Sequence, residues 1–124
     1  MESRRTALVT GGAAGIGAGI ATRFAEAGLA VAVFDIDATG ATRMAEQLST
    51  HGPAVAIQGD VANEGDAQRA IETTTAKWGR LDVLVNNAGI EITGSVRSLS
   101  SKEWDRLIAV DLRGVFLMSK YAIP

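Results

Sequence analysis

The sequence predicts an α/β fold, a parallel sheet wound on both faces by helices in a single domain. Three observations predict it. Short runs rich in Val, Leu and Ala alternate with helical stretches along the whole chain. Those runs are apolar almost throughout, which suits strands covered on both faces. The first of them ends in a glycine-rich turn that leads straight into the first helix.

The elements follow in order. Strands are expected at 6–10, 30–35, 54–58 and 81–86. The first helix is expected to bury Ile16, Ile20, Phe24 and Ala27, spaced for one helical face, and to stop at Gly28. The second buries Ala41, Met44, Ala45 and Leu48. The third buries Ala67, Ile71, Thr74 and Trp78, with Asn63 as N-cap and Gly79 as its stop. Beyond the fourth strand, Ser100-Ser101-Lys102-Glu103 matches a capping box. It opens a long helical region through Trp104, Leu107, Ile108, Leu112, Phe116 and Leu117.

Bulk properties narrow the function classes. A length of 124 residues is one domain's worth, residues 1–124 forming a single domain or part of one. The formal charge of −2 leaves no footprint for nucleic acid or an anionic membrane. With no cysteine, disulfides, thiolate metal sites and thiol chemistry are excluded. Residues 1–5 lead at once into a strand-like run rather than a signal-peptide core, and the longest apolar stretch, 29–34, is far too short to span a bilayer. A soluble, cytoplasmic protein is the expectation. His51 has no partner at ligand spacing and reads as a surface-loop histidine; Arg4 and Arg5 read as a solvated flank.

The chemistry concentrates at the ends of the strands. The turn Thr10-Gly11-Gly12-Ala13-Ala14-Gly15-Ile16-Gly17 gives each glycine work to do. Gly11 permits a tight exit from the strand, Gly15 lets backbone approach a pyrophosphate, and Gly17 allows close packing of the helix. The helix N-terminus then offers unpaired N–H groups to phosphates. The order is G-x-x-x-G-x-G, not G-x-G-x-x-G, and no Gly-Lys-Ser/Thr ending marks an NTPase loop. A tight turn that binds nothing is the competing reading, and its place between a first strand and a helix argues against it.

Asp35 ends the second strand 18 residues after Gly17, close to where a carboxylate grips the adenosine ribose of a dinucleotide. There it would accept from both ribose hydroxyls and face the 2′-phosphate of NADP. Two unit charges about 4 Å apart at an effective dielectric of about 20 repel by roughly 4 kcal/mol, on the order of a thousandfold in affinity. No Arg or Lys stands at Ala14, Ile36 or Asp37 to neutralise it, so NAD is the expected cofactor. Alternatively Asp35 or Asp37 merely caps the second helix; Asp37 alone would do so and leave Asp35 free. Asp60-Val61 follows the third strand on the same rim, where the carboxylate can accept from an adenine amine and Val61 can pack on the ring; a turn or cap Asp is the plainer alternative. Asn86-Asn87-Ala88-Gly89 closes the fourth strand there too, either as a close passage for a cofactor or as an ordinary turn.

Taken together, residues 10–17, Asp60-Val61, Asn86 to Gly89 and the region 104–116 resemble the short-chain dehydrogenase/reductase family over the whole chain. The resemblance implies a Rossmann-type doubly wound parallel sheet in the order 3-2-1-4 continuing into further strands. It also implies NAD(P)(H) along the C-terminal rim and hydride transfer between a secondary alcohol and a carbonyl. By the same match Gly11, Ala14, Gly15, Ile16 and Gly17 form the pyrophosphate turn, and Asp35 with Ile36 selects NAD. Asp60 and Val61 hold adenine, Asn87, Ala88 and Gly89 line the ribose, and Val110 belongs to the cofactor site.

The family's reaction depends on a Ser and a Y-x-x-x-K pair after a fifth strand, and on an upstream Asn. The Tyr acts as general acid/base, its pKa lowered by the Lys. The resemblance implies that those groups follow Pro124, so this chain is expected to be the cofactor-holding half, inactive alone. Tyr121 is no substitute, since its Lys would fall at 125, and it reads as a packing or interface residue. Asp111 stands at the family's Asn position; it is read as lining the active site, because a main-chain carbonyl carries part of that role. The edge at 81–86, apolar on both faces, pairs in the family with a fifth strand, and the surface around Leu112, Phe116 and Leu117 resembles the family's subunit interface; together they imply a homo-oligomer. Two other classes stay open: a non-catalytic NAD-binding module, and an interaction fragment that pairs through its strand edge.

Overall fold

A computed structural model describes residues 4–124. The reading of residues 1–3 lies outside that range, while Arg4 and Arg5 are exposed. Strands β1 (Thr6–Thr10), β2 (Ala30–Asp35), β3 (Ala54–Gln58) and β4 (Val83–Val85) form one parallel sheet in the order β3-β2-β1-β4. The expected α/β class and strand order both stand.

Alternation along the two central strands divides the core into two layers. Val9, Val31 and Val33 point to one face, under α1 (Gly15–Glu26) and α2 (Ala38–Leu48). Leu8, Ala32 and Phe34 point to the other, under α3 (Glu64–Trp78) and α5 (Gly114–Ala122). Every residue of β1 is buried, and so is β2 up to Asp35, where the chain emerges at the rim.

Helix α1 corrects the expected stripe. Gly17, Ala21 and Ala25 are buried, whereas Ile16 is 78% exposed and Ala27 lies at the surface. Small side chains let this helix lie close on the sheet; Ile20 and Phe24 only flank the contact. Helix α2 buries its expected Ala41, Met44, Ala45 and Leu48. Asn63 caps α3 by accepting from Asp66 N at 2.9 Å, and Gly79 closes it in the left-handed region at φ 78°. His51 is exposed.

The fourth strand is shorter than 81–86. At its start the Asp82 carboxylate, held by Arg80, accepts from Thr6 N at 2.8 Å where a main-chain carbonyl would continue the ladder. At its end Thr10 Oγ1 donates to Val85 O and accepts from Asn87 N and Ala88 N, both at 3.0 Å. The strand pairs with β1 alone, so it is an edge with half-buried side chains.

The long helical region also differs. The Ser100–Glu103 capping box is present and opens α4 (Ser101–Ile108), but a π-helical turn, Ala109–Arg113, separates α4 from α5. Leu117 belongs to the core at 2% exposure, not to the outer surface expected of it, while Leu112 and Phe116 are 64% and 61% exposed. Tyr121 packs partly buried against the α3 layer. Among the described residues no helix is long and apolar enough to cross a membrane.

Candidate functional site

The carboxyl ends of β1, β2, β3 and β4 bound a cleft of about 310 Å³. Its lining brings together Gly11, Ala14, Asp35, Ile36, Asp60, Val61, Asn87, Ala88, Gly89 and Val110, ten of the residues singled out from the sequence. Gly15, Ile16, Gly17 and Asp111 are not part of that lining, although Gly15 to Gly17 open the adjoining helix.

The turn is built by main-chain contacts. Gly11 sits at φ 64°, and its N–H donates to Phe34 O at 2.8 Å, tying the turn to β2. A Cβ on Gly17 would collide with the Gly11 carbonyl oxygen and with Asn87 Nδ2. Gly17 is therefore required by the turn beneath it as much as by the sheet. Gly15, at φ 59°, faces open space. Its helix carries no side-chain cap and no acidic residue in its first turn, so its positive end stays open to an anion. The exposed Ile16 lies beside that end.

Asp35 is not free. Its Oδ2 accepts from Ala13 N at 3.1 Å and its Oδ1 from Asp37 N at 3.0 Å. Asp37 performs the capping, accepting from Gly40 N at 3.1 Å. The two bonds fix the Asp35 carboxylate beside the turn, and each oxygen retains acceptor capacity. Across the cleft, Asn87 Nδ2 donates to Gly11 O at 3.2 Å, bracing the end of β4 against the turn.

Asp60 brings a residue that the sequence did not single out. Its Oδ1 accepts from Ala62 N at 2.9 Å, and its Oδ2 pairs at 3.0 Å with Arg106 Nη1 from α4. Arg106 itself lines the cleft. Only the fold brings two positions 46 apart into contact, so no local signal marked the pair. Thr10, the end of the first strand and start of the turn in the sequence, carries a buried hydroxyl that holds both main-chain N–H groups at the Asn87-Ala88 step, a role no local signal marks.

The π-helical turn carries Val110 inward, 5% exposed, and Asp111 toward the loop after β4. Asp111 Oδ1 accepts from Ile90 N at 2.8 Å, anchoring the segment that follows Gly89. One turn later, Gly114 lets α5 approach Val61, whose Cγ2 would meet a Cβ there at 2.7 Å. The donors and acceptors suit a phosphorylated ribose compound: an open helix N-terminus, a fixed carboxylate beside it, and an apolar wall of Val61 and Val110.

Comparison with known proteins agrees with this arrangement. The model of the short chain dehydrogenase family matches residues 5–124. The BbsD subunit of (2S)-[(R)-hydroxy(phenyl)methyl]succinyl-CoA dehydrogenase from Thauera aromatica is 41% identical over 117 residues, covering 94% of this chain and 47% of that protein. D-threitol dehydrogenase from Mycolicibacterium smegmatis is 41% identical over 115 residues, covering 92% and 44%. Among solved structures, a 3-ketoacyl-(acyl-carrier-protein) reductase from Brucella melitensis complexed with NADH superposes with a TM-score of 0.92 at 39% identity, covering 98% of this chain and 50% of that one. The chain spans about half the length of the curated relatives it matches. Over that span the match is nearly continuous, and the chain belongs to the short chain dehydrogenase family of oxidoreductases.

Proposed function

We propose that this chain is the cofactor-holding portion of an NAD(H)-dependent oxidoreductase that interconverts a secondary alcohol and a carbonyl. The observation that carries the NAD reading is the Asp35 carboxylate, pinned by Ala13 N and Asp37 N at the mouth of the glycine turn. Its own bonds hold it in place, so it cannot easily swing away from a 2′-phosphate. Its remaining lone pairs suit the two hydroxyls of an unphosphorylated ribose. The complex of the Brucella melitensis reductase with NADH supports a dinucleotide in this class of fold.

When bound, the nicotinamide supplies the hydride donor or acceptor. The chain's own residues bind and orient. The N-terminus of α1, with Gly15 leaving room in front, receives the pyrophosphate. Asp60 accepts from the adenine amine, with Val61 and Val110 packed on the ring. Asn87, Ala88 and Gly89 pass close to the second ribose. Asp111 positions that passage through Ile90 N, a bond that needs only an acceptor oxygen, which Asp keeps where the family has Asn. A small alcohol or ketone is the expected substrate class.

Titration of NADH and NADPH emission against the purified protein tests the reading. NADH is expected to bind on the order of a thousandfold more tightly than NADPH, and Asp35→Ala to shrink that gap from both sides, tightening NADPH as the repulsion goes and weakening NADH as the ribose acceptor goes. Equal affinity for the two nucleotides in the unmodified protein overturns the assignment of Asp35.

A further inference from the structure

Among the described residues that line the cleft, Arg106 is the one cationic side chain. It stands on the last turn of α4 and spans the gap to Asp60 at the end of β3. The pair is partly exposed, with 44% of the Arg106 side chain and 27% of the Asp60 side chain open to solvent. It lies where Val61 and Val110 form the apolar wall, the place assigned above to the base. Asp60 is held from its own loop as well, since its N–H donates to Asp66 Oδ2 at 3.0 Å and its Oδ1 accepts from Ala62 N. Asp60 is thus a fixed acceptor, and Arg106 sets a donor beside it.

We infer that Arg106 is a specificity-determining residue for the base of the bound dinucleotide, widening the purine edges that this end of the cleft accepts. The inference rests on the dinucleotide reading above. An ionised carboxylate only accepts hydrogen bonds. Alone, Asp60 would welcome the amino group of adenine and repel the C6 carbonyl of hypoxanthine, because two acceptors would face each other. Arg106 alters both halves of that contrast. Its positive charge offsets the carboxylate that the carbonyl would meet, and its guanidinium carries five N–H donors, of which Nη1 engages Asp60. A partly exposed ion pair is held weakly, so the guanidinium can re-aim an N–H at a base carbonyl at little cost. A tether that merely joined α4 to the loop after β3 would act on both nucleotides alike.

The test compares the dissociation constants of NADH and of its hypoxanthine analogue, deamino-NADH, by their shared dihydronicotinamide emission. The unmodified protein is expected to separate them by no more than about threefold. Arg106→Met, which keeps an apolar stem, is expected to weaken deamino-NADH about tenfold more than NADH, because loss of a designed donor is felt mainly by the ligand that needs it. Arg106→Lys restores a cation and a donor, and is expected to fall between the two. In an Asp60→Asn background, Arg106→Met should leave the ratio within about twofold of its parent, since the repelling charge is gone and the Asn carboxamide can itself turn an N–H to the base carbonyl or its oxygen to the amine. Equal weakening of both nucleotides by Arg106→Met, or an unchanged ratio, overturns the inference in favour of a tether. If the unmodified protein binds no NADH, the dinucleotide reading falls and this inference with it; NADH binding with an unmoved ratio removes the inference alone.

Discussion

Two glycines on one helix, two residues apart, should respond in opposite directions to the same substitution. Gly17 and Gly19 both lie in the first turns of α1. At Gly19 a Cβ meets nothing within 4 Å. Replacing it with Ala gains the intrinsic preference of Ala over Gly, about 1 kcal/mol in a helix interior. At Gly17 the same gain is outweighed. The new methyl group would press on the Gly11 carbonyl, which Asn87 Nδ2 already holds at 3.2 Å, while Gly11 N is tied to Phe34 O at 2.8 Å. Backbone pinned from two sides cannot retreat as a flexible side-chain tip would. Overpacking costs about 1–3 kcal/mol, and loss of the Asn87–Gly11 bond about 0.5–1.5 kcal/mol more. Gly17→Ala should therefore destabilise by about 0.5–3.5 kcal/mol after the helical gain. For a domain near this size each kcal/mol moves the melting temperature by about 4 °C. Thermal unfolding followed by circular dichroism should place Gly19→Ala above the unmodified protein and Gly17→Ala below it. NADH binding should weaken only in Gly17→Ala, because Gly11 must move. A Gly17→Ala protein that melts at or above the unmodified one refutes the argument that the turn, rather than helix propensity, requires glycine there.

Two further outcomes are open to simple measurement. Glu64 at the start of α3 accepts from Tyr121 Oη at 2.5 Å and from Lys120 Nζ at 3.1 Å, and those bonds, the tyrosine's first, hold its pKa below the ordinary 4.5. The same contact with Glu64 raises the Tyr121 pKa above 10.0. A carboxylate with a depressed folded pKa stabilises above its unfolded value and loses that contribution as pH falls through the folded one; a phenol with a raised pKa loses its contribution as pH climbs past 10.0. Melting temperatures from acid to alkali should thus show Glu64→Gln flattening both limbs, and Tyr121→Phe flattening the alkaline limb and shrinking the acid one to the part that Lys120 sustains, and superimposable profiles would falsify the clamp. Leu112, Val115 and Phe116 are exposed together on one apolar patch, and self-association through it is the expected outcome. Light scattering should show the unmodified protein as an oligomer and Phe116→Glu as a smaller species; an unmodified monomer removes that role.

The central strands and the caps were legible because their causes are local. Burial on both faces leaves unbroken apolar runs at β1 and β2, and Asn63, Gly79 and Ser100 announce helix ends through their own side chains or their lack of one. The rim residues from Gly11 to Val110 were legible through spacing and resemblance together. What escaped depends on partners distant in the chain. The Arg106–Asp60 pair joins positions 46 apart, and the ends of β4 are set by Thr6, Thr10 and Asp82, none of which looks like a strand terminator in sequence.

The helix after the π-helical turn shows why a surface taken from resemblance misplaced one residue. Val110, Gly114, Leu117 and Met118 recur at intervals of four, three and one, which is a single stripe, and all are buried. Leu112 and Phe116 are four apart as well, but they form a second stripe rotated away from the first and are open to solvent. Reading Leu112, Phe116 and Leu117 as one outward surface merged the two. A helix with apolar residues on two faces has more to bury than one sheet can cover. Its first stripe is satisfied by Val61 and the α3 layer; the second is what calls for a neighbour, and that is why Phe116, not Leu117, is the residue whose replacement should change the assembly while leaving the core intact.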